Sequence, residues 1–204
     1  MLPDSVKDWY VDLVNPATQF LARRRIQPNL LTTAGFLINT LAAVSIFRGS
    51  LVLGGILVLA GGTFDIFDGR VARATGLSSP FGSFFDSTLD RFSEILIYLS
   101  FLYYFESHGD RWTGYAILTA MGGALMVSYT RARAEALGFR CLVGFLQRPE
   151  RVVFIGFGAI LSAVAGEVVL VVVIYLVAIL SVFTAVQRMV HVYTSSRSTP
   201  ADKR

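Results

Sequence analysis

The chain has 204 residues, of which 54% are hydrophobic and only 16% charged, and its mean hydropathy is +0.60. That balance excludes a soluble domain with a largely polar surface and points to an integral membrane protein. The formal charge of +4 does not indicate nucleic acid here, because surplus Lys and Arg in so apolar a chain mark cytoplasmic loops and contact with anionic lipid.

A helix that crosses a bilayer core of about 30 Å needs roughly 20 apolar residues, so the length accommodates about six spans in one all-α domain over 1–195. A lone cysteine, Cys141, rules out an intrachain disulfide and a structural zinc site. The first residues lack the basic start, apolar middle and cleavage site of a secretory signal, so a cytosolic N-terminus is expected. Over 5–25, Val6, Trp9, Tyr10, Leu13, Phe20 and Leu21 alternate with Lys7, Asp8, Asp12 and Arg23 to Arg25. This predicts an amphipathic helix lying on the membrane surface and broken near Pro16.

Six spans are then expected over 29–47, 51–73, 81–105, 112–135, 150–165 and 168–190. The connections at 48–50, 106–111 and 166–167 carry little positive charge, whereas arginines gather at 23–25, 70–73, 131–151 and beyond 188. By the positive-inside rule both termini face the cytosol. Glycine pairs at 54, 61 and 122 sit inside spans and permit close helix approach. The polar tail over 196–204 is expected to be disordered.

Between the second and third spans, the stretch FDIFDGRVARATGLSSPFGSFFDSTLDRF places unusual charge at membrane depth. Asp65 and Asp68 are three apart and Asp86 and Asp90 four apart, so on two helices each pair projects from one face. Four carboxylates brought together in a low dielectric repel one another by several kcal/mol, and a cation is needed to keep them ionised. Oxygen ligands without His or Cys select Mg²⁺, Mn²⁺ or Ca²⁺. Two such ions bridged by shared aspartates would hold a diphosphate. Gly69, Ala72 and Gly82 keep the adjoining backbone bare, Arg73 adds a planar cation suited to phosphate, and Pro80 is placed to open the next helix. Ion pairs that only fasten helices together are the plainer explanation, but ionisable groups within a membrane are costly and mark functional sites. A divalent-cation transporter or an aspartate-rich prenyltransferase could also carry acidic pairs.

Taken whole, Asp65, Asp68-Gly69, Ala72-Arg73, Gly82, Asp86 and Asp90 resemble, at every defining position, the signature of the CDP-alcohol phosphotransferase family. The resemblance implies six spans preceded by a short amphipathic helix, a homodimer, and displacement of CMP from a CDP-linked donor by an acceptor hydroxyl. It further implies two metal ions, Mg²⁺ or Mn²⁺, on Asp65, Asp68, Asp86 and Asp90. Asp68, Gly69, Ala72, Arg73 and Gly82 would face the cytidine diphosphate, and Asp90 would be the general base.

A second basic segment, YTRARAEALGFRCLVGFLQRPERVV, brings Arg131, Arg148 and Arg151 to the cytosolic edge. Arg131 and Arg133 inside a predicted helix and Arg148 and Arg151 flanking Pro149 could line one pocket for an anionic acceptor. ARAEALG followed by QRPER resembles the subgroup that joins CDP-diacylglycerol to inositol phosphate, with Arg131, Arg151 and Arg188 similar in position to the residues that grip the acceptor phosphate. Glycerol 3-phosphate and serine are the alternative acceptors. Arg188 could equally be an interface anchor. Asn29 and Thr32 either touch the cytidine or serve the start of the first span. Glu135 is expected to pair with Arg131 or a neighbouring arginine.

Overall fold

A computed structural model of the chain describes residues 15–198, and every regular element among them is α-helical. Residues 15–23 form helix α1; the rest of the amphipathic helix expected over 5–25 lies mostly outside the described residues. Six longer helices follow: α2 Pro28–Phe47, α3 Leu51–Thr75, α4 Pro80–Ser107, α5 Arg111–Ala136, α6 Arg148–Ala165 and α7 Glu167–Ser198. Each matches an expected span within a few residues, except that α7 runs past 190, so residues 196–198 of the expected disordered tail are helical. Residues 199–204 lie outside the described residues.

Local chemistry sets these boundaries. Pro28 and Pro80 stand in the first turns of α2 and α4, where a missing N–H costs nothing. The Ser79 hydroxyl accepts a 3.0 Å hydrogen bond from the Gly82 amide, capping α4. Gly76 ends α3 in the left-handed conformation, with φ 70°. Asp110 caps α5 by accepting from the Thr113 amide and hydroxyl, bonds that hold its carboxyl below the ordinary range.

The core is apolar and shared. α2 lies against both α3 and α4, α3 against α6, and α5 against α4 and α7. Ile46, Val58, Phe101, Phe105, Ile117, Leu170 and Val177 are buried where these helices meet. The outer surface is also apolar: Leu41, Leu53, Leu118, Leu161, Val172 and Ile179 are all exposed. Such a continuous exposed apolar surface belongs in lipid, and this is a membrane protein. Among the described residues, three helices, Pro28–Phe47, Leu51–Thr75 and Glu167–Arg197, are long and apolar enough to cross a bilayer. The other three each carry a charged end, with Asp86 to Glu94 on α4, Arg131 to Glu135 on α5 and Arg148 to Arg151 on α6.

Each of the three glycine pairs holds at least one close-approach glycine. A methyl group on Gly55 would lie 2.6 Å from the Gly156 carbonyl oxygen, and one on Gly61 would lie 2.3 Å from the Asn39 side-chain oxygen. Gly122 has open space, although its neighbour Gly123 packs on Ser181. Gly55→Val is therefore expected to force α3 from α6 and cost about 1–3 kcal/mol. Gly122→Ala should be neutral or gain at most about 1 kcal/mol from helix propensity. Thermal unfolding of both variants in detergent checks this, and equal melting temperatures would contradict the close α3–α6 approach.

Candidate active site

The acidic residues come from two helices that straddle a third. Asp65 and Asp68 lie on the second half of α3, Asp86 and Asp90 on the first half of α4, and α2 packs against both. One carboxylate oxygen from each of Asp65, Asp68 and Asp86 falls within 4.8 Å of the others. Asp68 is 4% exposed, and its Oδ2 accepts a 2.7 Å hydrogen bond from the Thr32 hydroxyl on α2. Asp86 Oδ1 is buried with no hydrogen-bond partner. An unpartnered buried carboxylate oxygen is costly unless something positive shares it, and an all-oxygen donor set suits a hard divalent cation. The three residues therefore fit a metal ion.

Asp90 stands apart from that triad. Its Oδ1 lies 2.7 Å from Arg148 Nη2, while Arg148 Nη1 lies 2.8 Å from Asp65 Oδ2, so one guanidinium spans two acids from different helices. Arg91 approaches the other oxygen of Asp90 at 3.3 Å. Of the four carboxylates expected to converge, three meet directly and the fourth is joined through an arginine. Arg148, expected in an acceptor pocket, is instead turned toward the acids, because at the first turn of α6 it lies within reach of the facing surfaces of α3 and α4.

The small residues of the motif leave room without being demanded by packing everywhere. A methyl group on Gly69 would meet only the Arg73 guanidinium, at 3.5 Å. One on Gly82 would crowd Ser79 Oγ at 3.1 Å and Asn29 Oδ1 at 3.3 Å. Asn29 and Thr32 thus border the motif, at Gly82 and Asp68 respectively, from the start of α2. Arg73 lines a cavity of about 660 Å³ between α1 and α3, together with Asn15, Gln19, Arg23 and Arg70. Ala72 closes the turn instead, its carbonyl accepting from the Gly76 and Leu77 amides.

The other arginines differ in setting. Arg131 is exposed and pairs with Glu135 at 2.9 Å, the partner expected for it. Arg151 is 1% exposed, and its Nε and Nη2 reach Glu94 Oε1 at 3.0 and 2.7 Å. Arg188 is 2% exposed and donates to the Val143 and Val127 carbonyls, which settles it as an interior residue and not an interface anchor. It also fastens the loop before α6: Gly144 packs on its guanidinium, and the Leu146 amide donates to Thr184 one turn away. Arg188 stands within electrostatic reach of Arg131 and Arg151. Sequence reasoning passed over Glu94, although its spacing from Asp86 and Asp90 continues one helical stripe. It also passed over Gly35, where a methyl group would lie 3.3 Å from Asp65 Oδ1.

Residues 25–193 match the family model for CDP-alcohol phosphatidyltransferase. The archaetidylinositol phosphate synthase of Pyrococcus horikoshii is 42% identical over 171 residues, covering 83% of this chain and 85% of that protein. The structure of Mycobacterium tuberculosis phosphatidylinositol phosphate synthase with CDP-DAG bound superimposes with a TM-score of 0.81 at 32% identity, covering 90% of this chain and 94% of that one. The same enzyme in complex with manganese and citrate gives 0.80 at 34% identity, covering 88% of each chain. With the signature intact and its acids gathered at the α2–α3–α4 junction, the chain belongs to the CDP-alcohol phosphatidyltransferase family and is a transferase of membrane phospholipid synthesis.

Proposed function

We propose that the protein transfers the phosphatidyl group of CDP-diacylglycerol to a hydroxyl of inositol phosphate, releasing CMP. The observation that carries this reading is the meeting of Asp65, Asp68 and Asp86 beside the bare backbone of Gly69 and Gly82, in a chain whose relatives include synthases of inositol phospholipids. Asp65, Asp68, Asp86 and Asp90 would hold two ions, Mg²⁺ or Mn²⁺. Bound there, these supply the positive charge that neutralises the diphosphate and offsets charge growing on the departing CMP.

The protein's own groups do the rest. Asp68, Gly69, Ala72, Arg73 and Gly82 receive the cytidine diphosphate, and Thr32 fixes the orientation of Asp68. Asp90 takes the proton from the acceptor hydroxyl as its oxygen attacks the lipid-side phosphorus. A new P–O bond forms to the acceptor, the bond to the bridging oxygen breaks, and CMP leaves with that oxygen. Arg131, Arg151 and Arg188 supply the positive field that holds the acceptor's phosphate, and Arg148, paired with Asp65 and Asp90, borders it. Asp90, bonded to two arginines, is poised at the edge of that field.

Six helices spanning the inner membrane, with both termini and the site on the cytosolic side, accord with the arginines gathered at one end of the bundle. Donor lipid then reaches the site from the bilayer and acceptor from the cytosol, and the protein works as a homodimer in one domain.

The test is CMP release from CDP-diacylglycerol with inositol phosphate, free inositol, glycerol 3-phosphate and serine supplied in turn. Inositol phosphate should support turnover at least about a hundredfold better than free inositol, since the arginines would otherwise face no phosphate. Turnover with glycerol 3-phosphate alone would replace the acceptor and keep the chemistry. Metal flux into liposomes without CMP release would point to transport.

A further inference from the structure

Arg148 occupies an unusual position for a residue of an anion pocket. Both of its terminal nitrogens are committed to carboxylates, Asp65 on α3 and Asp90 on α4. The rest of the guanidinium is poorly served, for Nε is buried without a hydrogen-bond partner. Asp65 also belongs to the triad whose oxygens converge within 4.8 Å. The oxygen that Arg148 contacts on Asp65 has no other partner, so the guanidinium alone offsets its charge. A divalent ion, with twice the charge of the guanidinium, can compete for that oxygen.

We propose that Arg148 is a displaceable counter-cation, which competes with a divalent ion for Asp65 and Asp90 and turns toward the acceptor's phosphate when the ion wins. The inference rests on the reading of the acidic cluster as a divalent-ion site. The charges explain the exchange. The four carboxylates are met by two guanidiniums, Arg148 on Asp65 and Asp90 and Arg91 on Asp90; a first ion held by Asp65, Asp68 and Asp86 still leaves net negative charge for Arg148 to offset. A second ion between Asp65 and Asp90 neutralises the acids fully, and the guanidinium beside it is repelled. Freed, the arginine has a destination close by. Arg151 lies one turn further along α6, within electrostatic reach of Arg188. Arg148 in this scheme is a positioning residue. It keeps Asp90 paired until the second ion is in place, and it ties acceptor binding to ion binding.

The experiment is Mn²⁺ titration of the full chain in detergent, read by electron paramagnetic resonance of free Mn²⁺, for the wild type and Arg148→Gln. The wild type should bind one ion tightly and a second at least about tenfold more weakly, and the variant should bind the second at least about tenfold more tightly than the wild type does. Equal or weaker binding in the variant overturns the competition. In wild-type protein, modification of Arg148 by phenylglyoxal, mapped by mass spectrometry, should rise severalfold on adding Mn²⁺; an unchanged or lower yield overturns the displacement without relying on a variant. Binding of no Mn²⁺ by the wild type would remove the divalent-ion reading itself, whereas Mn²⁺ binding indifferent to Arg148 removes only this inference.

Discussion

Asp90→Asn is expected to lower the rate of CMP release by about 10²–10⁴-fold, the range lost when a general base is removed, while nucleotide binding stays within a few-fold of wild type. The substitution keeps the size of the side chain and removes its charge and basicity. Arg148 retains its contact with Asp65, and the Asp65–Asp68–Asp86 cluster is not touched by the change. Turnover measured by CMP release, set beside equilibrium binding of a CDP-alcohol, separates the two roles. Activity within tenfold of wild type would take the base role away from Asp90. Loss of nucleotide binding together with activity would assign it chiefly to holding the ions.

Helix positions could be read from the chain because each span is bounded by strong local chemistry: Pro28, Pro80 and Pro149 at starts, Gly76 and Gly166 at ends. The acidic cluster was readable for a related reason. Spacings of three and four residues place carboxylates on one helical face, so only the approach of α3 to α4 remained to be found. That approach depends on α2, which contacts both, and the α2 residues at the junction, Thr32 and Gly35, carry no charge pattern to announce them.

Pairing was much less readable. Arg148, Arg151 and Arg188 were expected to line one basic pocket, yet one bridges two acids, one is locked to Glu94 and one is bonded to backbone carbonyls. Each of these partners lies more than 40 residues away in the chain, so charge composition alone could not show which arginines are available to a ligand. Of the polar C-terminal stretch expected to be disordered, only residues 196–198 are described, and they continue α7.

Arg151→Ala should damage both stability and acceptor use. Its guanidinium and the Glu94 carboxylate are buried against each other, with two donors converging on one oxygen. Removing one partner leaves the other as an unpaired charge, a change that costs about 3–5 kcal/mol. Glu94 Oε2 already lacks a hydrogen-bond partner, and the unpartnered Tyr98 hydroxyl beside it can offer a hydrogen bond but no compensating charge. The double change Arg151→Met with Glu94→Leu should recover much of the melting temperature, because a pair of apolar groups leaves no charge behind. It should not recover use of the acceptor. If Arg151 also faces the acceptor's phosphate, the double variant will show near-normal stability with an acceptor KM raised tenfold or more, since one charge-assisted contact is missing. Recovery of both stability and KM would confine Arg151 to holding α6 against α4, and would leave Arg131 and Arg188 as the acceptor's cations.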